Sequence, residues 1–212
     1  METGAIETRP QAPWLSARFL DRAEQVLVVI FWTMLALRVD HSDNPLAPLL
    51  LASESVIAIF VLIRRSTGNI SMRLGDWLLA ITGTVASLLI IPSANILPML
   101  IVPAVLLALL GNIWQISAKL VLRRSFGIAP ANRGVKVGGP YRFMRHPMYA
   151  GYLMTHIGIL MVMTSWINFL IYAICWTAQI KRILVEEELL GQDPAYAAYM
   201  QQVRWRLIPG IF

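Results

Sequence analysis

Apolar residues in this chain gather into long runs separated by short polar stretches, and those runs set the reading of its fold. They extend from about Gln25 to Val39, Leu46 to Ile63, Leu74 to Ile91 and Leu97 to Leu122. A membrane-spanning helix needs about 20 mainly apolar residues, with about 17 at the lower end. The last three runs meet that length, and the first reaches it by drawing on the turn before it. A longer apolar stretch runs from Met148 to about Val185. It is too long for one crossing. Thr164-Ser165-Trp166-Ile167-Asn168 offers a tight turn in its middle, which divides it into a fifth and a sixth helix forming a hairpin, the fifth being short. The pattern predicts an all-α integral membrane protein with about six transmembrane helices, a C-terminal helical hairpin, and cytoplasmic loops and tail.

The charges between the runs test that count. Arg18 and Arg22 precede the first run, whereas Asp40, His41 and Asp43 follow it with Arg38 as their basic neighbour. Arg64, Arg65 and Arg73 separate the second from the third. The link from Pro92 to Pro98 carries no charge. Lys119, Arg123, Arg124, Arg133, Lys136, Arg142 and Arg145 follow the fourth run, and Lys181, Arg182, Arg204 and Arg206 the sixth. Basic connections alternate with neutral or acidic ones. The retention of Lys and Arg on the cytoplasmic side then puts both termini in the cytoplasm. The lead Trp14-Leu15-Ser16-Ala17-Arg18-Phe19-Leu20 reads as an interfacial amphipathic turn. No A-x-A-like cleavage site follows the first run, so it is kept as a span.

Composition agrees. Of the 212 residues 57% are hydrophobic and 14% charged, against roughly a quarter charged in a soluble domain. Mean hydropathy is +0.62. The net charge of +6 comes from clusters at the ends of apolar runs, so it reads as orientation charge and not as a nucleic-acid surface. A single cysteine, Cys175, excludes an intrachain disulfide and a cysteine-based zinc cage. No metal site is expected.

One polar segment is too rich in special residues to be a linker. Arg133 to Gly151 reads RGVKVGGPYRFMRHPMYAG. Gly138-Gly139-Pro140 turns sharply, since glycine reaches positive φ and proline fixes its own. Pro147 sits at the start of the fifth helix, where its missing N–H costs nothing. The free N–H groups of that first turn form a natural seat for a carboxylate or phosphate. A second cluster, Lys181-Arg182-Ile183-Leu184-Val185-Glu186-Glu187-Glu188, lies where the sixth helix leaves the membrane. Arg182 and Glu186 are four apart and share a helical face. Tyr196, Tyr199 and the tail Arg204-Trp205-Arg206-Leu207-Ile208-Pro209 follow, and the tail is placed to close over the hairpin.

GPYRxxRHPxYxG, then RIxxEE, a YxxY and a closing RLIP together resemble the isoprenylcysteine carboxyl methyltransferase family, which is related to the membrane phospholipid N-methyltransferases. The resemblance covers about residues 120–212. It divides the chain into residues 1–122, an amphipathic lead and four spans, and residues 123–212, the motif region, as one structural unit. It implies S-adenosylmethionine as methyl donor, held at the cytoplasmic membrane boundary without a Rossmann domain. No βαβ pattern or glycine fingerprint is present. By position, the family's cofactor contacts fall on Tyr141, on His146, Pro147, Met148 and Tyr149, on Gly151 and on Glu186. Arg182 falls where the family places a substrate-binding arginine, and Arg182, Glu186 and Glu187 are the expected catalytic set. Two positions depart from the family. Arg133 stands where its carboxyl methyltransferases have a histidine, and Phe126 where they have a cofactor-contacting glutamine.

The expected reaction is methyl transfer to a lipidic or prenylated acceptor, with a carboxylate of isoprenylcysteine type leading. Arg182 would hold that carboxylate by a bidentate contact. An amine acceptor would first have to lose a proton, which gives Glu187 or His146 a base role. A phospholipid or thiol acceptor, a nicotinamide-dependent membrane reductase and a non-catalytic membrane protein are the alternatives. Outside the motif, His156 is expected to hydrogen-bond a neighbouring helix. Glu54 is an ionisable group in mid-span. Asn112, Gln115 and Lys119 fall on or near one face of the fourth span, placed to line a cavity or to pair with Glu54.

Overall fold

The computed structural model describes residues 16–41, 51, 55, 58–64, 67, 70–91 and 98–212. Most of the expected second span, including Glu54, lies outside them, as does the link 92–97. Six helices are named here: α1 (Ala17–Asp40), α2 (Leu74–Val85), α3 (Pro98–Leu122), α4 (Pro147–Val162), α5 (Trp166–Leu190) and α6 (Pro194–Gln202). Short 3₁₀ turns occupy Ala86–Leu89, Arg123–Ser125 and Gly139–Arg142. Among the described residues, the isolated bridge between Ile70 and Ala131 is the β-type pairing present. Among the described residues the all-helical expectation holds.

Each boundary has a local cause. Ser16 caps α1 by accepting from the Phe19 N–H, and Ser165 caps α5 by accepting from the Asn168 N–H, as short hydroxyl side chains do. The long apolar stretch breaks at residues 163–165, overlapping the start of the turn expected over 164–168. Asn168 reinforces the break: its amide donates to the Met163 carbonyl at 2.7 Å and to the Ile91 carbonyl at 2.8 Å. Side-chain contacts from Tyr149 to Glu186 and from His156 to Tyr172 pair α4 and α5 in antiparallel order.

Pro98–Ser125 is long and apolar enough to cross a membrane, with mean hydropathy 2.0 over its best window. α2 and α4 are shorter apolar helices. Large apolar side chains face outward on several helices, among them Val26 and Leu37, Leu106 and Leu110, and Phe169 and Leu170. Patches of that kind mark contact with a partner or a membrane.

The closest packing joins α3 to α4, and it is built on glycine. A Cβ at Gly111 would sit 2.6 Å from the Gly151 carbonyl oxygen, one at Gly151 2.7 Å from the Gln115 nitrogen, and one at Gly158 2.5 Å from the Ala104 carbonyl oxygen. Backbones meet here without side chains between them, the arrangement small residues allow between apolar helices. Gly111→Val should therefore push α3 from α4 and cost about 1–3 kcal/mol, the overpacking range. Thermal unfolding in detergent reads this out, and an unchanged midpoint would refute the close approach.

Candidate functional site

The motif segment folds as its residues dictate. Gly139 takes φ +54°, a left-handed conformation that an L side chain disfavours, and starts the turn that delivers Tyr141. Pro147 opens α4, with His146 at its N-cap. The C-terminal tail then lies along the motif. The Arg145 N–H donates to the Trp205 carbonyl at 2.9 Å, and the His146 N–H to the Arg206 carbonyl at 2.8 Å. The Tyr199 hydroxyl donates to the Tyr141 carbonyl at 2.7 Å. The motif loop, the YxxY helix and the tail are thus one assembly.

Glu187 lies at its centre. One carboxylate oxygen meets Arg145 Nε at 2.8 Å and His146 Nε2 at 3.1 Å, and the other accepts from Arg206 Nε at 2.8 Å. Burial raises the carboxyl, but hydrogen bonds from His146 and Arg206 and the charge of Arg145 leave it below its ordinary value. Both groups that sequence offered as bases, Glu187 and His146, are engaged with each other and with two arginines.

Two cavities meet beside this cluster. The first is a cleft lined by Tyr141, His146, Met148, Tyr149, Glu186 and Tyr196 among others. Tyr149 donates to Glu186 at 3.2 Å. Burial, followed by the Glu186 charge, holds the Tyr141 hydroxyl well above its ordinary range, so it remains a protonated donor. The Tyr196 hydroxyl is buried without a hydrogen-bond partner. The second cavity opens between α1, α2, α4 and α5 with largely apolar walls. Phe126 and Met148 line both and form the partition.

Arg182 stands at that junction. It lines the second cavity, and its guanidinium lies 5.4 Å from the centre of the Tyr149 ring. One terminal nitrogen donates to the Ile128 carbonyl. Its Nε is buried with no partner, and no carboxylate among the described residues pairs with it. An uncompensated buried cation is costly, so this one calls for an anion.

The loop that meets Arg182 is held from α1, an arrangement invisible in the motif. Glu24 and Asp21 form a buried cluster with Arg64 and Arg133: Arg64 lies 2.7 Å from Glu24 and 2.8 Å from Asp21, and Arg133 lies 3.0 Å from Asp21. Glu24 also accepts from the Ile128 and Ala129 N–H groups. Arg133, the first departure from the family pattern, is thus occupied in an ion cluster. Burial lowers its pKa first, followed by the nearby Arg64 charge, against the pull of Glu24 and Asp21. Phe126, the second departure, is buried between the cavities.

The remaining expected residues fall in three groups. Tyr141, His146, Met148, Tyr149 and Glu186 surround the cleft. Pro147 starts the helix beneath it, and Gly151 packs against α3. Asn112, Gln115 and Lys119 do share one face of α3, as a hydrogen-bonded ladder: Lys119 donates to Gln115 at 2.9 Å and Gln115 to Asn112 at 2.7 Å. Sequence reasoning missed Asp21 and Glu24. The available signal was their spacing of three on a helix that begins outside the first apolar run.

Residues 96–193 match the sequence model of the phospholipid methyltransferase family. The matched stretch runs from the start of α3 to the N-cap of α6 and includes GPYRxxRHPxYxG and RIxxEE. No curated protein matches the chain. Among solved structures, the eukaryotic intramembrane Ras methyltransferase, an isoprenylcysteine carboxyl methyltransferase, aligns with 92% of this chain and 77% of its own, at 21% identity and a TM-score of 0.46.

Replacing Glu187 with Ala leaves Arg145 and Arg206 without their shared anion, at a cost of about 3–5 kcal/mol if it behaves as other buried pairs do. Limited proteolysis should then cut the tail near Arg204 faster than in wild type. Because the folded carboxyl titrates below its ordinary value of 4.5, its contribution is complete above that pH and is lost as pH falls through the lower folded value. The stability gap between wild type and Glu187→Gln should narrow below about pH 4.5. A gap independent of pH would refute the linkage.

Proposed function

We propose that this protein transfers a methyl group from S-adenosylmethionine to the carboxylate of a lipidic or lipid-attached acceptor, of the isoprenylcysteine type, at the cytoplasmic membrane boundary. The observation that carries this reading is Arg182, a buried arginine with no acidic partner among the described residues, at the mouth of an apolar cavity beside the motif cleft.

The cleft suits the donor in its chemistry. Glu186 offers a carboxylate for the donor's ammonium or a ribose hydroxyl, and the unpartnered Tyr196 hydroxyl adds a buried donor. The first turn of α4 has N–H groups without intrahelical partners, which suits the donor's carboxylate. Tyr141, His146, Met148 and Tyr149 wall the same cleft. When bound, the donor supplies an electrophilic methyl on a sulfonium, and transfer leaves a methyl ester and a thioether.

The chain's own part is positioning and exclusion of water. Arg182 grips the acceptor carboxylate by charge-assisted hydrogen bonds, while its contacts with Ile128 and the Tyr149 ring fix the guanidinium. Holding the reactants in line supplies much of the rate in a displacement of this kind. A carboxylate attacks without first losing a proton, so the reaction needs no base. That agrees with Glu187 and His146 being committed to each other and to Arg145 and Arg206. Here Glu187 acts by holding the motif and the tail together. Glu186 and Arg182 face the reactants.

Calorimetric titration of the detergent-solubilised protein with S-adenosylmethionine should show micromolar binding. Glu186→Ala should weaken it at least tenfold, as loss of a charged hydrogen bond does. Arg182→Ala should leave donor binding within twofold of wild type and raise the KM for an S-prenylated cysteine acceptor roughly 10- to 100-fold. A folded wild type that binds no donor would overturn the reading.

A further inference from the structure

Among the described residues, the cavity that Arg182 borders has a floor. Its lining follows four elements and stops on each before the end remote from the motif: at Leu35 on α1, at Ser87 in the turn after α2, at Ile159 on α4 and at Tyr172 on α5. Tyr172 is 5% exposed and joins Ala86 and Cys175 in a buried cluster, with Ile90 and Ile159 packed against it. His156 does not make the interhelical hydrogen bond expected from its mid-helix position. Its ring lies instead against that of Tyr172, 4.7 Å away between centroids.

What lies behind Tyr172 is fixed as well. One turn further along α5, Asn168 is wholly buried. Its amide nitrogen donates to the Met163 and Ile91 carbonyls, and its oxygen accepts from the Ile91 N–H at 3.0 Å. Asn168 thus ties the turn between α4 and α5 to the chain that follows α2. Pulling these groups apart would leave buried polar atoms unpaired in an apolar surrounding, which is costly. The floor therefore resists being pushed outward, and the Tyr172 ring is the face it turns to the cavity.

We propose that Tyr172 limits the length of the acceptor's tail: Arg182 holds the carboxylate at one end of the cavity and the Tyr172 ring stops the chain at the other. The proposal rests on the reading of Arg182 as the carboxylate anchor. The two residues are ten apart on α5, which at 1.5 Å per residue is about 15 Å. An extended chain gains about 1.2 Å per bond, taking the backbone's 3.3–3.6 Å per residue over three bonds, so that span holds about a dozen bonds. The head from carboxylate to sulfur uses the first few, which leaves roughly eight to ten carbons of tail in line. A longer tail must displace Tyr172 from its cluster, fold back on itself, or leave between the helices. Close packing makes the first two unfavourable.

The test uses the full chain in lipid nanodiscs, titrated calorimetrically with N-acetyl-S-octylcysteine and with N-acetyl-S-hexadecylcysteine. Comparing each variant with wild type on the same compound cancels the compound's own partition into lipid. Tyr172→Ala should bind the hexadecyl compound about tenfold more tightly than wild type does, as relief of overpacking allows. It should leave affinity for the octyl compound within twofold. Tyr172→Phe keeps the ring and should match wild type on both. Tyr172→Leu should show a smaller gain on the hexadecyl compound, and it decides the matter if Tyr172→Ala lacks cooperative thermal unfolding. Arg182→Ala should weaken both compounds alike, since they share the carboxylate. Removal of the ring that changes both affinities equally or neither, a Tyr172→Phe that gains on the longer compound, an Arg182→Ala that weakens neither, or a wild type that binds neither would each overturn the proposal. Donor binding is measured separately. A chain whose length limit shifts with Tyr172 but that binds no S-adenosylmethionine keeps this inference and loses the methyl-transfer reading.

Discussion

The buried carboxylate of Glu187 is the interaction on which the site depends. Arg145 and His146 reach it from the motif loop and Arg206 from the tail, three positive or hydrogen-bonding groups on two segments far apart in the chain. Each arginine needs an anion once it is taken out of water, and one anion serves both. The backbone pairing of residues 145 and 146 with 205 and 206 follows the same alignment. Because His146 also occupies the N-cap position of α4, this cluster sets where the fifth helix of the sequence reading begins. It therefore sets where Met148 and Tyr149 point into the cleft.

A second electrostatic cluster does for the other wall what Glu187 does for the motif. Asp21 and Glu24 on α1 neutralise Arg64 and Arg133, and Glu24 also takes the N–H groups of Ile128 and Ala129. The Ile128 carbonyl then faces Arg182. The site is consequently built from both ends of the chain: the guanidinium proposed to hold the acceptor is steadied by a loop whose own position is set from the first helix. Between these two clusters the glycine contact of α3 and α4 supplies rigidity without charge, since Gly111, Gly151 and Gly158 let two backbones touch.

The result is a pair of cavities with opposite character and a shared partition at Phe126 and Met148. One is polar and aromatic at the end of the helices, and the other is largely apolar and runs between them. The proposed pairing of a water-soluble donor with a lipidic acceptor calls for such a division, because neither would be stable in the other's compartment. Arg182 is the group where the two environments meet.

Sequence by itself determined the helical class of the described residues, the break between α4 and α5 and the turn at Gly139, and it named Tyr141, His146, Met148, Tyr149 and Glu186, which line the cleft, together with Pro147 and Gly151, which do not. These are local properties: apolar run length, capping hydroxyls, and the φ freedom of glycine act within a few residues. It also placed Arg182 and Glu186 on one face, because a helix brings residues four apart together. Tertiary structure alone decided which charges neutralise which. Glu187 and Glu186 are adjacent in an acidic run, yet one is locked by three partners and the other lines the cleft, since they point in different directions from the same helix turn. Arg133 and Arg182 are both buried arginines after an apolar run. One is matched by Asp21 and Glu24 and the other by no acid among the described residues. That difference depends on contacts more than fifty residues away in sequence, which no local pattern carries. The same holds for His156, whose lack of a hydrogen-bond partner is a property of the cavity around it and not of the helix that bears it.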